Sequence, residues 1–246
     1  MQPEAGRDSF SDLMRRTLLN GIFTKSITPL ALAATLACLS GAGAAEAKKQ
    51  GPERWESAIA KFEESDRAEP PKPGGVLFIG SSSIRMWKTL AEDFPGTPTL
   101  NRGFGGSEIS DSIHFADRIV VPYQPRQIVI YAGDNDVSKG KSAEAVARDF
   151  KTFVKTVRRE LPGVRVAFIA IKPSLKRWNL APEMKRANRM IRNYCRWRRG
   201  VVYLDIWNPM LGGDGKPRPE LFIEDGLHLS REGYELWTSV IRPFVK

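Results

Sequence analysis

The sequence predicts an α/β domain: a three-layer α/β/α sandwich around a central, mostly parallel sheet of five strands. Three observations carry this. From residue 76 onward, short apolar runs alternate with segments of helical periodicity, a pattern that argues for a parallel sheet covered on both faces. The length of 246 residues suits one sizeable α/β domain and barely two. The composition, 41% apolar and 27% charged, is that of an ordinary globular protein.

Residues 1–47 read as an export signal peptide. Arg15-Arg16 precede an apolar stretch from Pro29 to Leu39, and small residues with A-x-A-like cleavage sites follow at Ala42–Ala44 and Ala45–Ala47. The stretch is about 11 residues, too short to span a bilayer. A start at Met1 or at Met14, and a general or a twin-arginine route, both suit the pattern; so does a frayed N-terminal helix. A lipid anchor on Cys38 fits poorly, because Thr35 stands where such a signal usually has leucine. The expectation is an exported protein, periplasmic or secreted, with no stable membrane span. Cleavage would remove four basic residues (Arg7, Arg15, Arg16, Lys25) and four acidic ones (Glu4, Asp8, Asp12, Glu46), leaving the net charge of +10 unchanged. It would leave one cysteine, Cys195, and so no intrachain disulfide. The basic balance suits anionic surfaces, but no nucleic-acid-binding motif accompanies it.

Residues 48–75 read as an N-terminal helix and linker ahead of the main domain, residues 76–246. Glu53 to Glu69 carries Trp55, Ile59 and Phe62 at helical spacing, and the Pro/Gly-rich run 70–75 ends it. Strands are expected at Val76–Ile79, Thr99–Asn101, Gln127–Ala132, Val164–Ile171 and Val201–Ile206. Helices are expected at Ser107–Val120, Ser142–Leu161 and Pro182–Arg198, and from Ser230, a suitable N-cap, to Val245. In such sheets, ligand sites lie outside the carboxyl ends of the strands.

Of four short motifs, three follow successive expected strands and occupy such positions, and the fourth closes the chain. Asp225-Gly226-Leu227-His228 holds one of only two histidines. Residues at i and i+3 in a tight turn share a face, so the carboxylate can reach the imidazole and fix its tautomer. Gly80-Ser81-Ser82-Ser83 follows the first apolar run; a turn there exposes a hydroxyl beside helix N–H groups, although serines also serve as plain N-caps. Asn101 to Ser107 includes Gly103, Gly105 and Gly106, where glycine lets backbone approach a ligand; the spacing does not match a dinucleotide fingerprint. Gly133-Asp134-Asn135-Asp136 offers an amide at a strand end, or an ordinary Asx-turn; its continuation, with Lys139 and Ala145, does not fit a calcium loop. His114 falls on an expected helix, and no cluster with metal-ligand spacing accompanies either histidine.

In their order of Ser, Gly, Asn and Asp-x-x-His, the four motifs resemble the blocks of the SGNH (GDSL-like) hydrolase superfamily, and the resemblance covers residues 76–246. It implies a flavodoxin-like sandwich and a serine esterase or acylhydrolase. Ser82 would be the nucleophile, His228 its base and Asp225 the residue that orients His228. The Ser82 and Gly106 N–H groups and the Asn135 side chain would form the oxyanion hole, with no metal or organic cofactor. One departure stands out: Ser81 occupies the position where the first block usually has aspartate. That aspartate is no member of the triad, but its loss leaves three neighbouring serines, of which Ser82 alone lies two residues after Gly80.

The substrate is expected to be a small-molecule or glycan ester with a short acyl group, acetyl first among them. Alternatives are a lysophospholipase or thioesterase, and a non-catalytic exported carbohydrate-binding protein on the same fold. Arg85, Trp87, Arg102, Arg177 and Trp178 follow strands and are candidates for the pocket, where cations and aromatics suit an acidic or sugar-bearing ester. They suit a solvated surface equally well. The sequence leaves the oligomeric state open.

Overall fold

The structure, a computed structural model, describes residues 51–245. The export segment, its alternative start sites and Cys38 lie outside the described residues. Five strands form one parallel sheet: β1 (Val76–Gly80), β2 (Thr99–Gly103), β3 (Gln127–Tyr131), β4 (Arg165–Ile169) and β5 (Val201–Leu204), in the order β2-β1-β3-β4-β5. All neighbouring pairs are parallel, with Gly80 beside Gly103 on one side and Tyr131 on the other.

The two-residue alternation of each strand divides the core into two halves. Leu77, Ile79, Ile128, Ile130, Val166 and Phe168 face one side. There they meet α1 (Glu56–Ala68), α4 (Ile109–His114), α5 (Ala116–Ile119), α7 (Ala143–Glu160) and α8 (Ala181–Arg196). Val76, Phe78, Val129, Tyr131, Ala167 and Ile169 face the other. That face is covered by α2 (Ser82–Arg85), α3 (Leu90–Asp93) and α9 (Arg231–Ile241). A further short helix, α6 (Asp134–Ser138), follows β3. The architecture is the expected three-layer sandwich.

Two helices begin at caps legible in the sequence. Ser142 accepts a hydrogen bond from the Ala145 N–H ahead of α7, and Ser230 accepts one from the Gly233 N–H ahead of α9. The helix expected over 107–120 is two short ones. A reciprocal capping box between Glu108 and Asp111 starts α4 at Ile109, and the chain leaves helical geometry at the buried Phe115.

The N-terminal helix expected ahead of the domain is packed into it. Ile59 is fully buried in the main core, and Trp55 and Phe62 pack against that core. Polar bonds fix the same segment: Arg54 and the Trp55 indole both donate to Asp111, at 2.8 and 3.0 Å. Among the described residues, no helix is long and apolar enough to cross a membrane.

Candidate active site

The connectivity turns outward from β1 in two directions, to β2 on one side and to β3 on the other. Such a reversal leaves a crevice at the carboxyl ends of those strands. Three motifs reach that crevice from the ends of β1, β2 and β3, and the fourth from the segment between β5 and α9.

After β1, the chain turns sharply at Gly80. Its φ of +133° is disfavoured for other residues, and a Cβ there would lie 1.8 Å from the Tyr131 carbonyl oxygen of β3. Glycine is therefore required where Ser81 is handed to the short helix α2. Ser81 and Ser83 are fully buried, while Ser82 stands at the crevice. Ser82 begins α2, and its N–H has no partner among the described residues.

Between β5 and α9, Asp225 organises a turn. One carboxylate oxygen accepts from the Leu227 and His228 N–H groups, both at 2.9 Å. The other lies 2.5 Å from His228 Nδ1. Partial burial pushes the Asp225 carboxyl up, but the His228 N–H, the His228 ring and the Leu227 N–H together outweigh it and hold it down at about 2. An ionised Asp225 keeps the ring proton on Nδ1. His228 Nε2 is then free to accept from Ser82 Oγ, which lies 2.9 Å away. Of the three serines, Ser82 is the one that meets the imidazole.

After β2, Gly106 adopts a φ of +80°, and a Cβ there would approach the Trp55 ring at 3.2 Å. The Gly106 N–H makes no hydrogen bond among the described residues. After β3, the Asn135 side-chain NH₂ donates to the Ser107 carbonyl at 3.0 Å, and its oxygen accepts from Arg177 at 3.1 Å. One amide hydrogen of Asn135 remains for a ligand in the crevice. Arg177 also donates to the buried Asp134 at 3.0 Å. Burial alone would raise the Asp134 carboxyl, but the cations of Lys172 and Arg177 hold it below its ordinary value.

Ser82, Gly106, Asn135 and His228 line one cavity of about 730 Å³, and Arg85 and Arg177 line it too. Three pocket candidates lie elsewhere. Trp87 is buried in the core, packed edge-on or tilted against Phe78, Phe94, Tyr234 and Trp237, with its indole N–H donated to Asp93 at 2.6 Å. The buried Arg102, inside β2, donates to the Tyr123 hydroxyl at 3.0 Å and pairs with Asp66 of α1. Trp178 stacks on Trp207 at 6.2 Å, outside the cavity lining. Conversely, α1 and the turn before it supply a wall that sequence reasoning missed, with Arg54, Trp55, Lys61 and Phe62 among its residues. The spacing of Trp55 and Phe62 marked a packed helix face; nothing marked what it would face. The exposed His114 lies at the end of α4, apart from the cavity. Among the described residues, no three His, Cys, Asp or Glu side chains are grouped to hold a metal ion.

Residues 80–236 match the GDSL-like Lipase/Acylhydrolase family. The chain belongs to this family. It is a GDSL-like serine ester hydrolase, and the match spans the Ser, Gly, Asn and Asp-x-x-His positions. Solved structures share the fold at low sequence identity. A Streptococcus pneumonia protein named as a platelet activating factor is 18% identical, with a TM-score of 0.71 over 79% of this chain and 94% of that one. A GDSL-like lipase from Bacteroides thetaiotaomicron is 18% identical, with a TM-score of 0.63 over 79% and 97%. A carbohydrate esterase family 3 protein from Talaromyces cellulolyticus is 17% identical, with a TM-score of 0.55 over 70% and 95%. A search of curated proteins finds no match.

Proposed function

We propose that this acylhydrolase cleaves short-chain esters, acetyl esters first among them, through Ser82, His228 and Asp225. The observation that carries the reading is the unbroken line from Asp225 Oδ2 through the imidazole to Ser82 Oγ, at 2.5 and 2.9 Å. His228 Nε2 takes the hydroxyl proton as Ser82 Oγ bonds to the ester carbonyl carbon, and the imidazolium that forms is stabilised by Asp225. The carbonyl oxygen becomes an oxyanion, received by the Ser82 and Gly106 N–H groups and the spare Asn135 amide hydrogen. Each such donor lowers the barrier by about 3 kcal/mol. The tetrahedral adduct collapses, the bond to the alcohol breaks, and His228 returns its proton to the leaving oxygen. Water then attacks the acyl-serine with His228 again as base, releasing the acid and restoring Ser82.

A short acyl group is supported by the lining: beside Ser82 stand cations and three aromatic residues, Trp55, Phe62 and Phe104, rather than a long aliphatic trough. An acetyl esterase and a carbohydrate esterase are among the proteins that share the fold, which favours this over a lysophospholipase, a thioesterase or a non-catalytic carbohydrate-binding protein. Export to the periplasm or beyond the cell, supported by the pattern over residues 1–47, would place the enzyme among glycan esters.

Hydrolysis of p-nitrophenyl acetate against longer-chain esters tests the reading. Activity on acetate is expected, with Ser82→Ala and His228→Ala reduced by at least about 10³-fold, and Ser81→Ala and Ser83→Ala changed only modestly. A wild type without turnover on any activated ester would overturn it.

A further inference from the structure

We infer that the ester this enzyme selects carries an anionic group, a carboxylate or a phosphate, seated between Arg85 and Lys61. The inference rests on the esterase reading and adds the substrate's charge to it.

The cavity beside Ser82 is lined by four cationic side chains, Arg54, Lys61, Arg85 and Arg177, and by no aspartate or glutamate among the described residues. Two of the four are occupied: Arg54 by Asp111 and Glu108, and Arg177 by Asp134 and Asn135. The other two are not. The Arg85 and Lys61 side chains are exposed and make no hydrogen bond or ion pair among the described residues, whereas fourteen lysine and arginine ion pairs, such as Arg118 with Glu63 and Lys141 with Asp149, satisfy cations elsewhere.

Their placement is specific. Arg85 stands three residues after Ser82 on α2, so both side chains share one face of that helix. Its guanidinium lies against the Gly105 backbone, where an added methyl group would come within 2.7 Å of Nε. Lys61 comes from α1 and lines the same cavity. A cleft lined with one sign of charge concentrates ligands of the other sign, and the planar guanidinium fits carboxylate or phosphate oxygens two at a time. Both free cations therefore flank the position of a substrate whose ester carbonyl is at Ser82 Oγ.

The test compares kcat/KM for 4-acetoxybenzoate, its neutral methyl ester and 4-acetoxyphenyl phosphate at low salt, each normalised to its hydroxide-catalysed rate. The structure predicts a preference of about tenfold or more for an anionic ester, the size of a charge-assisted hydrogen bond, and loss of that preference in molar salt. Preference for the carboxylate or for the phosphate names the group. Arg85→Gln and Lys61→Gln each reduce the ratio, and the double variant brings it near one. Arg196→Gln, which removes one exposed charge at the end of α8, leaves it unchanged. Turnover of all three esters without preference overturns the inference alone. So does an equal effect of Arg196→Gln, which would assign the preference to overall charge. Turnover of none overturns the esterase reading, and the inference with it.

Discussion

Arg177 donates through Nη2 to the side-chain oxygen of Asn135 at 3.1 Å, and this bond decides which way the amide points. With its oxygen held by a guanidinium and one hydrogen held by the Ser107 carbonyl, Asn135 arrives oriented before any substrate binds. Arg177→Met should lower kcat on p-nitrophenyl acetate by about tenfold and KM by little, while Asn135→Ala costs about 10²- to 10³-fold in kcat. Arg177→Lys should recover only part of the loss, because a point charge cannot serve Asp134 and Asn135 at once. A change confined to KM would show that Arg177 touches substrate rather than orienting Asn135.

Asp225→Asn should reduce kcat by about 10²- to 10⁴-fold, because an amide there no longer fixes the ring proton on Nδ1. The carboxyl itself, at about 2, stays ionised through the mildly acid range. Its folded value is below the ordinary one near 4, so it adds stability above about pH 4 that disappears as pH falls towards 2. Urea midpoints measured across that window should fall less in Asp225→Asn than in the wild type.

Asp136 has the opposite sign. It is fully buried, and desolvation raises its carboxyl to about 6 despite Lys141 at 3.1 Å. Between about pH 4 and that value, the folded state keeps a proton that the unfolded chain has released. Stability should therefore drop as pH rises through this interval, by up to about 3 kcal/mol, and level off above it. In Asp136→Asn, chemical denaturation from pH 4 to 7 should show a flatter profile.

Trp87→Ala should cost about 3–5 kcal/mol of folding stability, measured by urea unfolding, because it empties the centre of an aromatic cluster. Trp87→Phe should cost about 1–3 kcal/mol, the cost of depriving the buried Asp93 of one donor. A Trp87→Ala protein of wild-type stability with altered substrate preference would return this residue to the pocket.

The strands were legible because a sheet buried on both faces demands short apolar runs, and β1, β3 and β4 are such runs. The Ser, Gly, Asn and Asp-x-x-His positions were legible because each sits at a strand end or in a tight turn, where chemistry constrains residue type locally. Pocket walls are another matter. Trp87 and Trp178 follow strands as Arg85 and Arg177 do, and Arg102 stands inside β2, but whether a side chain turns into the core or the crevice depends on partners far away in sequence. Asp66 claims Arg102 from 36 residues upstream, and Trp237 packs on Trp87 from the C-terminal helix. The short α4 and α5 read as one helix because no glycine or proline marks the break at Phe115.

The wall built by α1 has a consequence for how this enzyme can change. The matched family region begins at residue 80 and holds every reacting group, whereas Trp55, Lys61 and Phe62 precede it. Bond breaking is thus encoded on one stretch of polypeptide, while the cavity wall draws on two, with α1 and the turn before it anchored through buried Ile59, the pair of Asp66 with Arg102, and Asp111. A relative with another helix seated on the same anchors would inherit the reaction intact while accepting a different molecule.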